Sequence, residues 1–366
     1  MFKKSEIFKT RKSTIFSVGG VTSNPQVQSV PANSNCCTSE KEMRTNPSII
    51  PQGTNPFPKN NGVFAECCSE TTSIVGDYRF IIYRESFTGF GLAAELDVPI
   101  TVDWGDGETE TFTGTGNYEE LGHTYSADTE YATINVVVSE YSAIRVSQSQ
   151  GLGSDDSIRE ILAFSSKCVA IKFKNQSGLL AIPTVGLFNC TYFELDNCIN
   201  VAEIETTNLS ACETFLINRN ILIGNLSTVG LVSCAIFEAR NIDNLILLET
   251  QTMTLCNSFN ASNNPALDTI DVFGLTTCSD FRSADCPQLL EITNSSTGFM
   301  SVANIDIGNC ALPESNINDI LVAINNSSVF FGTGNTVGQT PAAVPSGAGA
   351  IAKAAMILNG WTWTTD

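Results

Sequence analysis

The side chains with the most chemistry to offer in this chain are thirteen cysteines and a single histidine, His123. A thiolate is a nucleophile and a metal ligand, and two thiols make a disulfide, so the spacing of the cysteines decides what they can do. Six of them, Cys168, Cys190, Cys212, Cys234, Cys256 and Cys278, recur every 22 residues. Metal knuckles place two ligands within two to four residues, and a disulfide framework needs an even count. One thiol at a long fixed interval matches neither pattern. It reads as a column of small, buried, reduced side chains, one to a repeat. Two vicinal pairs, Cys36-Cys37 and Cys67-Cys68, lie outside that column. Adjacent thiols converge on one metal only awkwardly, and a disulfide that staples the segment is the other use open to them.

His123 has no second histidine with which to build a metal site, so it reads as a hydrogen-bonded framework residue. Asp103, Asp106 and Glu108 are close enough in sequence to gather hard oxygen ligands around calcium. The chain contains no Gly-x-Ser-x-Gly elbow, no phosphate loop and no His pair at helical spacing. Nucleophilic catalysis has no visible base, and most carboxylates fall on repeat surfaces. The expectation is a protein that is not an enzyme and that uses no cofactor.

What positions these residues is the repeat itself. Three after each cysteine stand Ile171, Phe193, Phe215, Phe237, Phe259 and Phe281; eleven after it, Leu179, Val201, Ile223, Leu245, Leu267 and Leu289. Fourteen after it come Ile182, Ile204, Leu226, Leu248, Ile270 and Ile292, and nineteen after it a Leu/Met column that fails at Thr297. Self-similarity at this period marks a solenoid, whose coils bury their apolar faces on one another. Phe237 and Ala239 are two apart and share one face of a strand, with Glu238 and Arg240 on the other. Seven after the cysteine, Asn175, Asn197, Arg219, Asn241, Asn263 and Asp285 are expected to bond the backbone where the chain turns off that strand. The outward positions Lys172, Lys174, Glu194, Asp196, Leu216, Asn218, Glu238, Arg240, Asn260, Ser262, Arg282 and Ala284 differ in every coil and contain no Trp or Tyr. A varied strip of this kind suits protein recognition better than stacking on sugars.

A formal charge of −19 opposes nucleic acid as a partner, and no run of about eighteen apolar residues spans a membrane. Residues 1–72 are rich in Ser, Asn, Pro and Thr and are expected to form an extended anchoring arm. The opening stretch never reaches the apolar run of a signal peptide. Its basic tip, Lys3, Lys4, Lys9, Arg11 and Lys12 against Glu6, is a candidate dock for an acidic partner.

Residues 73–148 alternate in short runs and predict a small β-sandwich; residues 149–312 hold the solenoid, opened by an irregular cap at Ile158 and Ile161. Met300, Ala303 and Ile305 are expected to continue the columns for a last coil. Residues 313–366 predict a small α/β cap: a helix over 315–325 with Ser315 as its cap, a second Ala-rich helix over 345–358, and a closing strand with Trp361 and Trp363 on one side. The whole reads as a multidomain, mostly β chain.

The repeat, with Cys and Phe where Leu is usual, resembles a bacterial leucine-rich repeat of the BspA-like type. The turn Asp103-Trp104-Gly105-Asp106-Gly107 followed by His123-Thr124-Tyr125 resembles the PKD family of immunoglobulin-like domains, in which these residues are chiefly structural. The terminal helix, Gly-Thr-rich turn, Ala-rich helix and Gly-Trp-Thr-x-Thr run is similar to the tail of leucine-rich-repeat proteins encoded in tailed bacteriophages. These resemblances imply a structural virion protein, a capsid decoration or else a tail or fibre component, carried at the virion surface after assembly in the host cytoplasm. Its partners would be capsid or tail subunits reached through the arm, further copies of itself, and a host-surface protein or glycan. A bacterial cell-surface adhesin is the other reading of the same architecture.

Overall fold

Alternating apolar residues make strands because every second side chain turns to the same face, and the front of the chain does this seven times. The strands are β1 (Tyr78–Tyr83), β2 (Thr88–Ala94), β3 (Pro99–Asp103), β4 (Thr109–Thr113), β5 (Tyr118–His123), β6 (Tyr131–Val138) and β7 (Ser142–Val146). The computed structural model describes residues 77–83, 88–125, 131–146, 158–327 and 329–365. The basic tip, the arm and both vicinal cysteine pairs lie outside the described residues.

One sheet orders its strands β4-β3-β6-β1 and adds at its edge β8 (Ile158–Ala163), antiparallel to β1. Strands β7, β2 and β5 form the opposing face, and Phe90 of β2 meets Phe80 of β1 at 6.0 Å and Trp104 at 5.9 Å between ring centres. The cap strand carrying Ile158 and Ile161 thus completes a sheet of the front module rather than only opening the coils.

Behind it come β9 (Cys168–Lys174), β10 (Ala181–Ile182), β11 (Tyr192–Asp196), β12 (Glu203–Ile204), β13 (Thr214–Asn218), β14 (Asn225–Ser227), β15 (Ile236–Arg240) and β16 (Leu247–Glu249). The series continues with β17 (Ser258–Asn260), β18 (Thr269–Asp271), β19 (Asp280–Arg282), β20 (Glu291–Thr293), β21 (Asn304–Asp306), β22 (Thr333–Asn335) and β23 (Thr362–Thr364). This is a β-solenoid. The odd-numbered strands from β9 to β21 pair in parallel register, Phe193 with Phe215, Phe237, Phe259 and Phe281 in turn, and the even-numbered strands from β10 to β20 form two shorter ladders, β10-β12 and β14-β16-β18-β20. Parallel β7–β9 pairing joins the front module's sheet to the solenoid's, so one sheet of twelve strands runs from β5 to β23.

The inward columns are buried, Ile204 alone being half-buried among the column residues named above. Phenylalanine rings stack at 5.1 to 5.7 Å with interplanar angles of 2° to 14°, and Phe299 closes the stack edge-on to Phe281 at 4.9 Å. Here the expectation for the last coil is corrected. Phe281 pairs with Ile305, 24 residues on rather than 22, because the four-residue helix Ser295–Gly298 inserts two residues. Val302 therefore occupies the buried place assigned to Met300, which is 56% exposed.

A second correction concerns the turns. Asn175, Asn197, Arg219, Asn241, Asn263 and Asp285 all adopt positive φ, between 56° and 61°, a left-handed state that Asn and Asp tolerate best. The amide that bonds the backbone is the next residue. Asn264 accepts the Ile242 amide at 2.8 Å and donates to the carbonyls of Ala239 and Ala261, each at 2.7 Å. Asn220 does the same for Cys198 at 2.9 Å. Buried Thr206, Thr228 and Thr250 give each coil another bond, donating to the carbonyls of Ser227, Glu249 and Asp271 at 2.7 to 2.9 Å.

Two longer helices, Glu314–Asn326 and Gly347–Leu358, pack on each other at the far end. Pro313 caps the first, so Ser315 lies inside its first turn rather than at its cap. Trp361 and Trp363 stack at 5.5 Å, and glycine stands opposite both: a Cβ on Gly332 or Gly334 would lie 2.5 or 2.2 Å from their rings.

Candidate functional site

The inward thiols form one repeated contact. Cys190, Cys212, Cys234, Cys256 and Cys278 each donate to the carbonyl two residues on at 3.2 to 3.3 Å, and Cys168 does so at 3.5 Å. Burial pushes the thiols of Cys168, Cys234 and Cys278 up to about 12 and those of Cys190, Cys212 and Cys256 upward as well. A desolvated thiol held as a donor is a poor nucleophile. A second column of cysteines, Cys198, Cys286 and Cys310, shares with Asn220 and Asn264 the position after the left-handed residue; its irregular filling hides it in the sequence.

In the front module the Trp104 turn and the His123 run come together. His123 Nε2 lies 2.8 Å from Asp106 Oδ2 and Nδ1 lies 3.4 Å from Glu110 Oε1. The imidazole stacks on Trp104 at 5.1 Å and meets Tyr125 edge-on at 4.6 Å, while the Tyr125 hydroxyl donates to the Trp104 carbonyl at 2.9 Å. Thr124 between them is exposed. Burial pushes Asp106 up, but the hydrogen bonds from His123 and the Glu108 amide outweigh it and leave the carboxyl below its usual value. Asp103 accepts the Gly105 amide at 3.0 Å, and Asp106 accepts that of Glu108 at 3.0 Å. These carboxylates hold the turn. Among the described residues the three groups whose ligand atoms all lie within 4.8 Å of one another are Glu108, Glu110 and His123; the expected trio Asp103, Asp106 and Glu108 forms no such set.

The outward strip lies in rows set by register. One row runs Lys172, Glu194, Leu216, Glu238, Asn260, Arg282, and the next Lys174, Asp196, Asn218, Arg240; Asp196 is buried in that row, and so are Ser262 and Ala284, which lie past the ends of their strands and do not join the exposed strip. Much of its charge is spent internally. Lys174 pairs with Glu194 at 2.9 Å, Arg219 with Asp196 at 2.5 Å, Arg240 with Glu238 at 3.3 Å and Arg282 with Asp280 at 3.1 Å.

The strip also extends a row beyond its expected limit, through Ala170, Tyr192, Thr214, Ile236, Ser258 and Asp280. That row brings in an aromatic the strip lacked. Tyr192 donates to Glu194 at 2.8 Å, carries Lys172 over its ring at 4.4 Å, and packs with Tyr118 on Ala93, Ala143 and Ala170. Its place two residues before Glu194 on the same strand was the available signal.

Toward the C-terminal end the face opens into a polar cleft of about 540 Å³ lined by Asp280, Arg282, Asn304, Asp306, Thr333, Asn335, Thr362 and Thr364. Its polar groups are bonded across the strands, Thr333 to Asn304 at 2.8 Å and Asn335 to Asp306 at 2.9 Å. Comparison with protein-family models, curated proteins and solved structures gives no match.

Proposed function

We propose that this chain is a structural virion protein of a tailed bacteriophage, not an enzyme, and that it serves as a capsid decoration protein. Its immunoglobulin-like, PKD-like front module spaces a leucine-rich solenoid of the BspA-like kind from the particle, and the basic tip and arm attach it to capsid subunits. The observation that supports the reading is the contrast between the two faces of the long sheet. The inward face repeats one set of side chains coil after coil, whereas the outward face changes in every coil on a lattice of about 4.8 Å between strands. A constant scaffold under a variable surface is what selective protein contact requires.

The test is to remove residues 1–70 and recover particles. The truncated protein should keep its melting temperature and be missing from particles; normal copy number would refute anchoring by the arm. The polar cleft favours a second reading, an adhesive role toward glycans, because alternating hydroxyl, amide and carboxylate groups match sugar hydroxyls. A printed oligosaccharide array separates the two: signal that disappears in Asp306→Ala supports adhesion, and a blank array leaves protein contact.

A further inference from the structure

The last coil breaks a rule that solenoids keep. A terminal unit has a face with no neighbour, and that face must be polar. The helix Gly347–Leu358 buries Gly349, Ala352 and Met356 toward the helix Glu314–Asn326, and its opposite side carries Ile351, Ala354 and Leu358. Ile351 is 73% exposed and Leu358 88%. Lys353 is the only charged residue among the twelve, and a helix apolar all round belongs in an interior. Beside its C-terminal end Phe331 is held at φ 62°, a state bulky residues avoid, with its ring over Gly360 and 80% exposed. Strand β23 of the same coil pairs with β22 on one edge and has no strand on the other among the described residues.

We infer that this end face is the interface of a homodimer, closed by a twofold axis through the last coil. Charge selects the occupant. Two copies of a chain with net charge −19 repel over most of their surfaces, but residues 327–366 carry only Lys353 and Asp366. A second copy can meet this face without like-charge cost, and a twofold matches an apolar patch and an open strand edge each to itself. The inference goes beyond the virion reading and does not depend on it.

Light scattering and sedimentation of the full chain at tens of micromolar should give twice the chain mass of 39.2 kDa. The double variant Ile351→Glu, Leu358→Glu alters exposed positions only and should keep the melting temperature while weakening dimerisation ~30-fold or more. A wild-type chain that stays at 39.2 kDa, as it would if another protein covers the face, overturns the inference. So does a dimer that the double variant leaves intact, or an open-ended polymer.

Discussion

At the scale of single residues, position in the coil decides what a side chain is worth. Phe237 lies between Phe215 and Phe259, fully buried, whereas Glu238 is its outward neighbour and pairs with Arg240 on the surface. Phe237→Ala should therefore cost about 3–5 kcal/mol in urea unfolding, and Glu238→Ala under about 1 kcal/mol. Equal losses would contradict the strand's facing. The thiols make a pH prediction. Their ordinary value is 9.0, and burial raises Cys168, Cys234 and Cys278 to about 12, so the unfolded chain releases protons that the folded chain keeps. Stability from this source is full below pH 9 and is lost as pH rises from 9 toward 12. Urea midpoints taken under reducing conditions across that range should fall, and replacing Cys234 with Ala should make the fall shallower.

At the scale of the coil, the turn divides its work between two adjacent residues. Asn263 supplies a backbone state and Asn264 supplies bonds, so the two respond differently to substitution. Asn263→Gly keeps the left-handed state and should leave thermal stability nearly unchanged. Asn264→Ala strands the Ile242 amide and two carbonyls and should cost about 1–3 kcal/mol for each group left unpaired. The reverse ranking in calorimetry would overturn this division.

Much of this scale was legible in the sequence, because columns such as Cys168 to Cys278 and Phe193 to Phe281 announce themselves by period alone. What stayed hidden had a physical reason in each case. The position after the left-handed residue is filled in turn by Gln176, Cys198, Asn220, Ile242, Asn264, Cys286 and Cys310, so composition there has no period although geometry does. The two residues added at Ser295–Gly298 shift the register only after the repeat has begun to fade. In the candidate face, Tyr192 escaped notice because the repeat around the cysteine draws attention to Phe193, and ion pairs between coils cannot be seen one coil at a time.

At the scale of the whole molecule, the boundary expected near residue 148 is crossed by backbone hydrogen bonding: β7 pairs with β9, and β8 with β1. One apolar core runs from Tyr78 to Trp361. Residues 77–365 should therefore melt in a single cooperative transition whose calorimetric and van't Hoff enthalpies agree; two resolved transitions would show that the shared sheet does not couple the parts. The Phe stack carries a further consequence, for heredity rather than energy. Each coil presents the same inward rows to the coil before it and the coil after it, so an in-frame duplication or loss of one 22-residue unit between Cys190 and Cys256 keeps the apolar columns in register. Gain or loss of one such unit can then lengthen or shorten the protein by one strand spacing at a time. Natural variants should differ by whole coils here, and a single-residue deletion, which breaks the seam, should be absent from them.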